Sequence, residues 1–165
     1  MAKKKSLSSR QRAALDVALL RSFRIVFGSV RAHFRQVQQS SGVSGSQVWI
    51  LHEIQRSEGI GVSELAARLS IHQSTCSLLV NKLVRAKHVV KARSRTDQRR
   101  VGLALTKRGR QALTRAPGPP EGVLPEAVSA LSAVHARALY RGLRAVIAEL
   151  DLKDEHAADV PLSDL

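Results

Sequence analysis

The side chains of this chain that are best equipped for chemistry fall into two groups. The first is Gln73, Ser74, Thr75 and Ser77, with Lys82 a little further on. These are short amide and hydroxyl groups that donate and accept hydrogen bonds without carrying charge, and a glutamine amide can engage the edge of adenine in a bidentate pair. The second is the loop from Ser94 to Arg100, which carries Arg95, Asp97, Arg99 and Arg100. Both sets suit recognition better than bond-making. The chain contains no evident Ser/His/Asp constellation, glycine-rich phosphate loop or pair of acids in an apolar setting, so an enzyme is not expected.

Charge says what would be recognised. From Lys82 to Arg110 the basic residues are Lys82, Arg85, Lys87, Lys91, Arg93, Arg95, Arg99, Arg100, Lys107, Arg108 and Arg110, and the only acid among them is Asp97. A solvated face normally mixes its signs; cations this dense repel one another unless a polyanion neutralises them. The whole chain repeats the bias, with 27 Lys and Arg against 13 Asp and Glu and a formal net charge of +14. Its partner is therefore expected to be anionic. Aromatic residues make up only 3%, too few for a platform that stacks single-stranded bases, so double-stranded DNA is favoured.

Elements must hold these groups in place. Leu65, Ala66 and Leu69 recur at helical spacing after Ser63, whose hydroxyl is expected to cap that helix. After Ser70-Ile71-His72 the polar quartet opens a second helix, and its stripe of Cys76, Leu79, Val80, Leu83 and Val84 leaves the polar front free. Val89 and Val90, then Val101, Leu103 and Leu105 at period two, give a two-stranded ribbon around the arginine loop. Helix, turn, helix and ribbon in that order read as a winged helix-turn-helix whose second helix enters a major groove.

The flanks are helical. Residues 9–38 carry Leu15, Leu19, Leu20, Phe23, Val26, Phe27, Val30, Phe34 and Val37, mostly at spacings of three and four. A helix of that length spans about 45 Å, more than a small domain needs for its own core, so part of the stripe is expected to pack on a second subunit. Ser40-Ser41-Gly42 ends it, and Ser44 with Gln47 forms a capping box for a helix bearing Val48, Leu51 and Ile54. Thr106 caps a helix from Lys107 to Arg115, which Pro117-Gly118-Pro119-Pro120 stops. Helices from Pro125 to about Leu131 and from Ala133 to Leu150 follow, then an acidic tail expected to fray. The fold class is mainly α with a small β-wing. We expect a single domain over 1–165, with dimerisation helices at 9–38 and 124–150, the DNA-binding region at 44–110 and the tail at 151–165.

With 44% hydrophobic residues the chain can build a modest core. No apolar run reaches the length of a spanning helix and Met1-Ala2-Lys3-Lys4-Lys5 is not followed by an apolar segment, which points to a cytoplasmic protein without a membrane partner. The single cysteine, Cys76, excludes an intrachain disulfide and falls on the buried stripe. His33, His52, His72, His88, His135 and His156 are scattered along the chain rather than arranged at metal-ligand spacing. No metal or other cofactor is expected.

Three stretches together resemble the MarR (multiple antibiotic resistance regulator) family: Val62-Ser63-Glu64-Leu65-Ala66 with Leu69, then Gln73-Ser74-Thr75 with Ser77, Leu79 and Val80, then Asp97 and Arg99 followed by Leu105-Thr106 and Gly109. The likeness in element order covers nearly the whole chain. It implies a triangular homodimer with terminal helices at the apex and winged helices as lobes, in which the acid matching Asp97 holds the wing and the arginine matching Arg99 reaches the minor groove. His72 departs from the Ser, Thr or Asp that often caps the recognition helix in that family, and Leu78 replaces a frequent basic residue.

On this reading two recognition helices enter successive major grooves about 34 Å apart on a pseudo-palindromic operator. Gln73, Ser74, Thr75 and Ser77 read bases and phosphates, Lys82 and Arg95 anchor phosphates beside Arg100 on the wing, and Arg99 enters a narrow A·T-rich minor groove. The resemblance further implies a repressor of nearby genes released by a small effector such as an aromatic acid, for which Arg31, His33 and Arg35 can meet a carboxylate and Trp49 and His52 lie close by. The competing reading is a sequence-indifferent architectural DNA binder.

Overall fold

The computed structural model describes residues 7–93 and 101–164, with the side chains of Arg93 and Val101 excepted. The wing tip, and with it Arg95, Asp97, Arg99 and Arg100, lies outside the described residues. Helix α1 runs Ser9–Ser41, α2 Gly45–Arg56, α3 Val62–Leu69 and α4 Gln73–Arg85; strands β1 Val89–Arg93 and β2 Val101–Leu105 follow, then α5 Lys107–Arg115, α6 Val123–Ser129 and α7 Ala133–Ala148. Two short 3₁₀ turns, Glu155–Asp159 and Leu162–Asp164, close the described chain.

The core is built on α2. Its Ile50, Leu51 and Ile54 are fully buried and Val48 nearly so, meeting Leu65 and Leu69 of α3, Cys76, Val80 and Leu83 of α4, and Val89 and Leu103 of the ribbon. The expected capping box starts the helix: Ser44 Oγ accepts from the Gln47 amide at 3.4 Å, and Gln47 Oε1 accepts from the Ser44 amide at 3.0 Å. This satisfies two backbone donors that the first turn leaves without intrahelical partners. β1 and β2 pair antiparallel, Val89 opposite Leu105 and Arg93 opposite Val101. Gly59 donates to the Leu103 carbonyl at 2.9 Å and Leu103 to the Ile60 carbonyl at 3.0 Å, so the segment before α3 pairs with the far edge of β2.

Several boundaries differ from the sequence reading. α1 continues to Ser41 because Ser41 Oγ turns back onto the Val37 carbonyl at 2.7 Å, and the stop is supplied by Gly42 in the left-handed region at φ 77°. α3 is not capped by Ser63. Gly61 occupies the cap position without a side-chain bond, and Ser63 lies inside the first turn, where its hydroxyl accepts from Gln73 Nε2 at 3.0 Å. α6 starts at Val123, which places Pro125 in the first turn, where a missing N–H costs no helical bond. α7 ends at Ala148. The acidic tail does not fray: Pro161 is buried against the α1/α2 junction, and Asp164 Oδ2 accepts from Ser46 Oγ at 3.0 Å.

The terminal helices leave apolar surface open. Along α1 only Val30 and Val37 are buried hydrophobics, while Leu15, Leu19, Leu20 and Phe27 are 43 to 63% exposed. No residue of α7 is buried, and Val134, Tyr140, Val146 and Ile147 stand in solvent. Within the described residues no helix is long and apolar enough to cross a membrane.

Candidate nucleic-acid interface

α4 is mounted so that its stripe and its front are separated. Cys76, Leu79, Val80 and Leu83 are at most 5% exposed, while Gln73, Ser74, Leu78, Asn81 and Lys82 face solvent and Thr75 and Ser77 are half-buried at the margin. A stripe sunk to this depth fixes the rotation of the helix about its axis, because turning it by one residue would carry Leu79 or Leu83 into water at about 1.5–3 kcal/mol each. Of the quartet expected from sequence, Gln73 and Ser74 are thus exposed at the N-terminal end of the helix, and Thr75 and Ser77 border the buried stripe.

The start of that helix is closed by His72. Its Nδ1 accepts from the Ser74 amide at 3.3 Å and lies 2.7 Å from Ser74 Oγ. An imidazole in the N-cap position does the work that Ser, Thr or Asp usually does, since the unprotonated ring nitrogen is an acceptor. Gln73 is held by its bond to Ser63 on α3, and Ser74 by His72, so the two leading side chains of the front are ordered before any ligand arrives.

Two further positions belong to this face: Leu78, which the sequence reading notes only as replacing a frequent basic residue, and Asn81, which it does not mention. Leu78 is 60% exposed at its centre, an apolar group of the kind that meets a thymine methyl. Asn81 accepts from Lys91 Nζ of β1 at 3.1 Å, which ties the base of the ribbon to α4 and sets both on one surface. Spacing alone could have placed Leu78 on the polar side of the helix; the Asn81–Lys91 pair required the tertiary fold.

The base of α5 adds a third edge. Thr106 caps it, accepting from the Gly109 amide at 3.0 Å and donating to the Lys87 carbonyl at 2.8 Å. Lys107 and Arg108 are exposed beside that helix start, whereas Arg110 is occupied by the Leu105 carbonyl at 2.8 Å. Under the surface, burial pushes the Cys76 thiol up to about 11, which keeps it protonated. Burial, and to a lesser degree the Arg108 charge, lowers the His88 pKa from its ordinary value.

The five candidate effector residues lie on α1 and α2 in different surroundings. Arg31 and Arg35 are exposed on α1, and His33 packs edge-on to Phe34 at 5.2 Å. Trp49 lines a small cavity of about 190 Å³ with Phe34, Ile71, Pro120 and the tail residues Pro161 and Leu162. His52 points instead toward Glu53 and Glu121.

Residues 41–100, the stretch that holds α2, the helix-turn-helix and the first half of the wing, match the model of the MarR family. Over the winged-helix region the chain is thus similar to the MarR family. The chain is 22% identical over 103 residues to the HTH-type transcriptional repressor MdtR of Bacillus subtilis, covering 62% of this chain and 65% of that protein. It is 36% identical over 64 residues to the HTH-type transcriptional regulator TtmR of Methylorubrum extorquens, covering 39% of this chain and 33% of that one. The matches thus span about two thirds and one third of the relatives' lengths. Among solved structures, the MepR–DNA complex from S. aureus superposes with a TM-score of 0.52 at 19% identity over 78% of this chain and 94% of the other. That likeness is one of fold, and at 78% of this chain it extends beyond residues 41–100.

Proposed function

We propose that this chain is a MarR-family, sequence-specific, double-stranded DNA-binding transcriptional regulator that works as a homodimer, most simply a repressor of nearby genes. The observation that carries this reading is the front of α4: uncharged hydrogen-bonding side chains, the leading two, Gln73 and Ser74, held by Ser63 and His72, on a helix whose rotation is fixed by its buried stripe. Backbone binding by charge alone would need none of that order. Gln73, Ser74, Thr75 and Ser77 are assigned to the major groove, with Leu78 at a thymine methyl. Lys82, Lys107 and Arg108 are assigned to phosphates, and Arg95 and Arg100 to the backbone beside the wing. Arg99, oriented by Asp97, is assigned to the minor groove. Relatives named as a transcriptional repressor and a transcriptional regulator, and a fold neighbour crystallised with DNA, support the class.

Release by a small ligand belongs to the same proposal. A ligand at the α1/α2 junction would wedge between stalk and lobe, change the separation of the two recognition helices and so select against the DNA-bound state. Phe34 and Trp49 are the wall residues there, and a cavity of about 190 Å³ admits only a ligand smaller than a typical drug unless the tail moves aside.

The assignment separates two kinds of contact, and two variants test it. Gln73→Ala is expected to cost about 1–3 kcal/mol of discrimination at one base pair while leaving the salt dependence unchanged. Arg99→Ala is expected to weaken binding most on operators with A·T-rich flanks. Loss of affinity by the same factor on operator and scrambled duplexes in both variants would instead support the architectural reading.

A further inference from the structure

The scattered histidines conceal one assembled cluster. We propose that His52, Glu53 and Glu121 form a binding site for a divalent transition-metal cation, with zinc the best match. The imidazole and two carboxylates come from α2 and from the loop between α5 and α6, and one ligand atom from each lies within 4.8 Å of the others. They are brought together only by folding.

Two features of the cluster call for a cation. Glu53 is 5% exposed, yet the arginines nearest its carboxylate reach it only at 3.3 Å from Arg56 and 3.5 Å from Arg68. Arg68 makes shorter bonds elsewhere, to Ser57 Oγ at 2.7 Å and Glu64 Oε1 at 2.8 Å. A carboxylate sunk this far needs close, directed partners, and these are long and come from half-exposed or exposed side chains. The second feature is His52 Nδ1, which is shut off from solvent without a hydrogen-bond partner. It stands 3.7 Å from Glu53 Oε1, too far for a hydrogen bond but on the side where a shared cation would sit. The buried ring nitrogens of His33 and His88 also lack partners, but neither belongs to such a cluster of acids.

One imidazole nitrogen with two carboxylate oxygens is a donor set that suits zinc and, with lower affinity, its first-row neighbours. Bonds of about 2.0–2.2 Å around a tetrahedral ion require the three donors to close from their present spacing. Glu121 can make that movement: it is half-buried, in a turn outside any helix, and its side chain can swing while α2 stays fixed in the core. Three protein ligands leave a fourth position for water, the pattern of an exchangeable rather than a closed structural site. Occupancy would tie the loop that leads to α6 and α7 to the central helix of the winged domain.

The test is titration of untagged, chelator-stripped full-length protein with Zn²⁺ by calorimetry and with Co²⁺ by visible absorption. The expected result is one ion per chain, a Co²⁺ spectrum with imidazole and carboxylate donors, and a Zn²⁺-dependent rise in melting temperature. His52→Ala and Glu121→Gln should each weaken binding by about tenfold or more and abolish the thermal shift. Both replace side chains that are only half-buried, and circular dichroism checks their folding. His135→Ala, on exposed α7, should bind as the wild type does. Absence of saturable binding, or equal affinity in the wild type and the His52→Ala/Glu121→Gln double variant, would overturn the site.

Discussion

His88 sits beneath the junction of α4, β1 and α5, 6% exposed, with its Nδ1 unpartnered. Desolvation and the Arg108 charge both disfavour its protonated form, so its folded pKa lies below the ordinary 6.5. The unfolded chain therefore binds the proton more readily than the folded one, and stability rises with pH across this window. The contribution is complete above about 6.5 and is lost as pH falls below that value toward the folded pKa. Thermal unfolding between about pH 7.5 and about pH 5.5 is expected to show a falling melting temperature that His88→Gln flattens; an equal fall in both proteins would place the acid sensitivity elsewhere. Cys76 raises no such question, since a fully buried thiol pushed up to about 11 is a core group rather than a redox sensor.

At the scale of elements, the α5 start is held by a contact that only glycine permits. A Cβ on Gly109 would run into the His88 carbonyl. Replacing a helical glycine by alanine ordinarily gains up to about 1 kcal/mol in propensity. Here overpacking against fixed backbone costs about 1–3 kcal/mol. Gly109→Ala is therefore expected to lower the urea midpoint; a raised midpoint would show that the junction can relax. This glycine was visible in the sequence only as part of a motif, and its reason is tertiary. Elsewhere the division follows the range of the interaction. The α4 stripe, the Ser44–Gln47 box and the Thr106 cap depend on neighbours three or four residues apart, and all were readable from spacing. The role of Ser63 is not legible from spacing because its partner Gln73 is on the next helix. The order of the tail is not legible locally because its anchor, Ser46, lies at a sequence separation of 118. His52 looked isolated for the same reason, its neighbour Glu121 being on a distant loop.

At the scale of the molecule, the winged domain has one core, while α1 and α7 carry apolar faces that nothing among the described residues covers. Leu139, Leu143, Val146 and Ile147 recur on α7 at helical spacing, each 38 to 44% exposed. A second copy would bury this surface and the α1 stripe together and fix the separation of two recognition helices. Leu143→Asp with Val146→Asp is expected to give a monomer by analytical ultracentrifugation with its helix content kept, and to reduce operator binding to that of one half-site. A double variant that remains dimeric would move the interface off α7.

The central claim, that the α4 front reads sequence, is tested most directly by binding to the DNA upstream of the protein's own gene against a scrambled duplex of equal length across a salt series. The account predicts a preference of roughly 10³-fold or more that persists as salt rises and weakens both affinities. Equal binding to the two duplexes at every salt concentration, with a steep common slope, would contradict it and leave charge as the whole basis of binding.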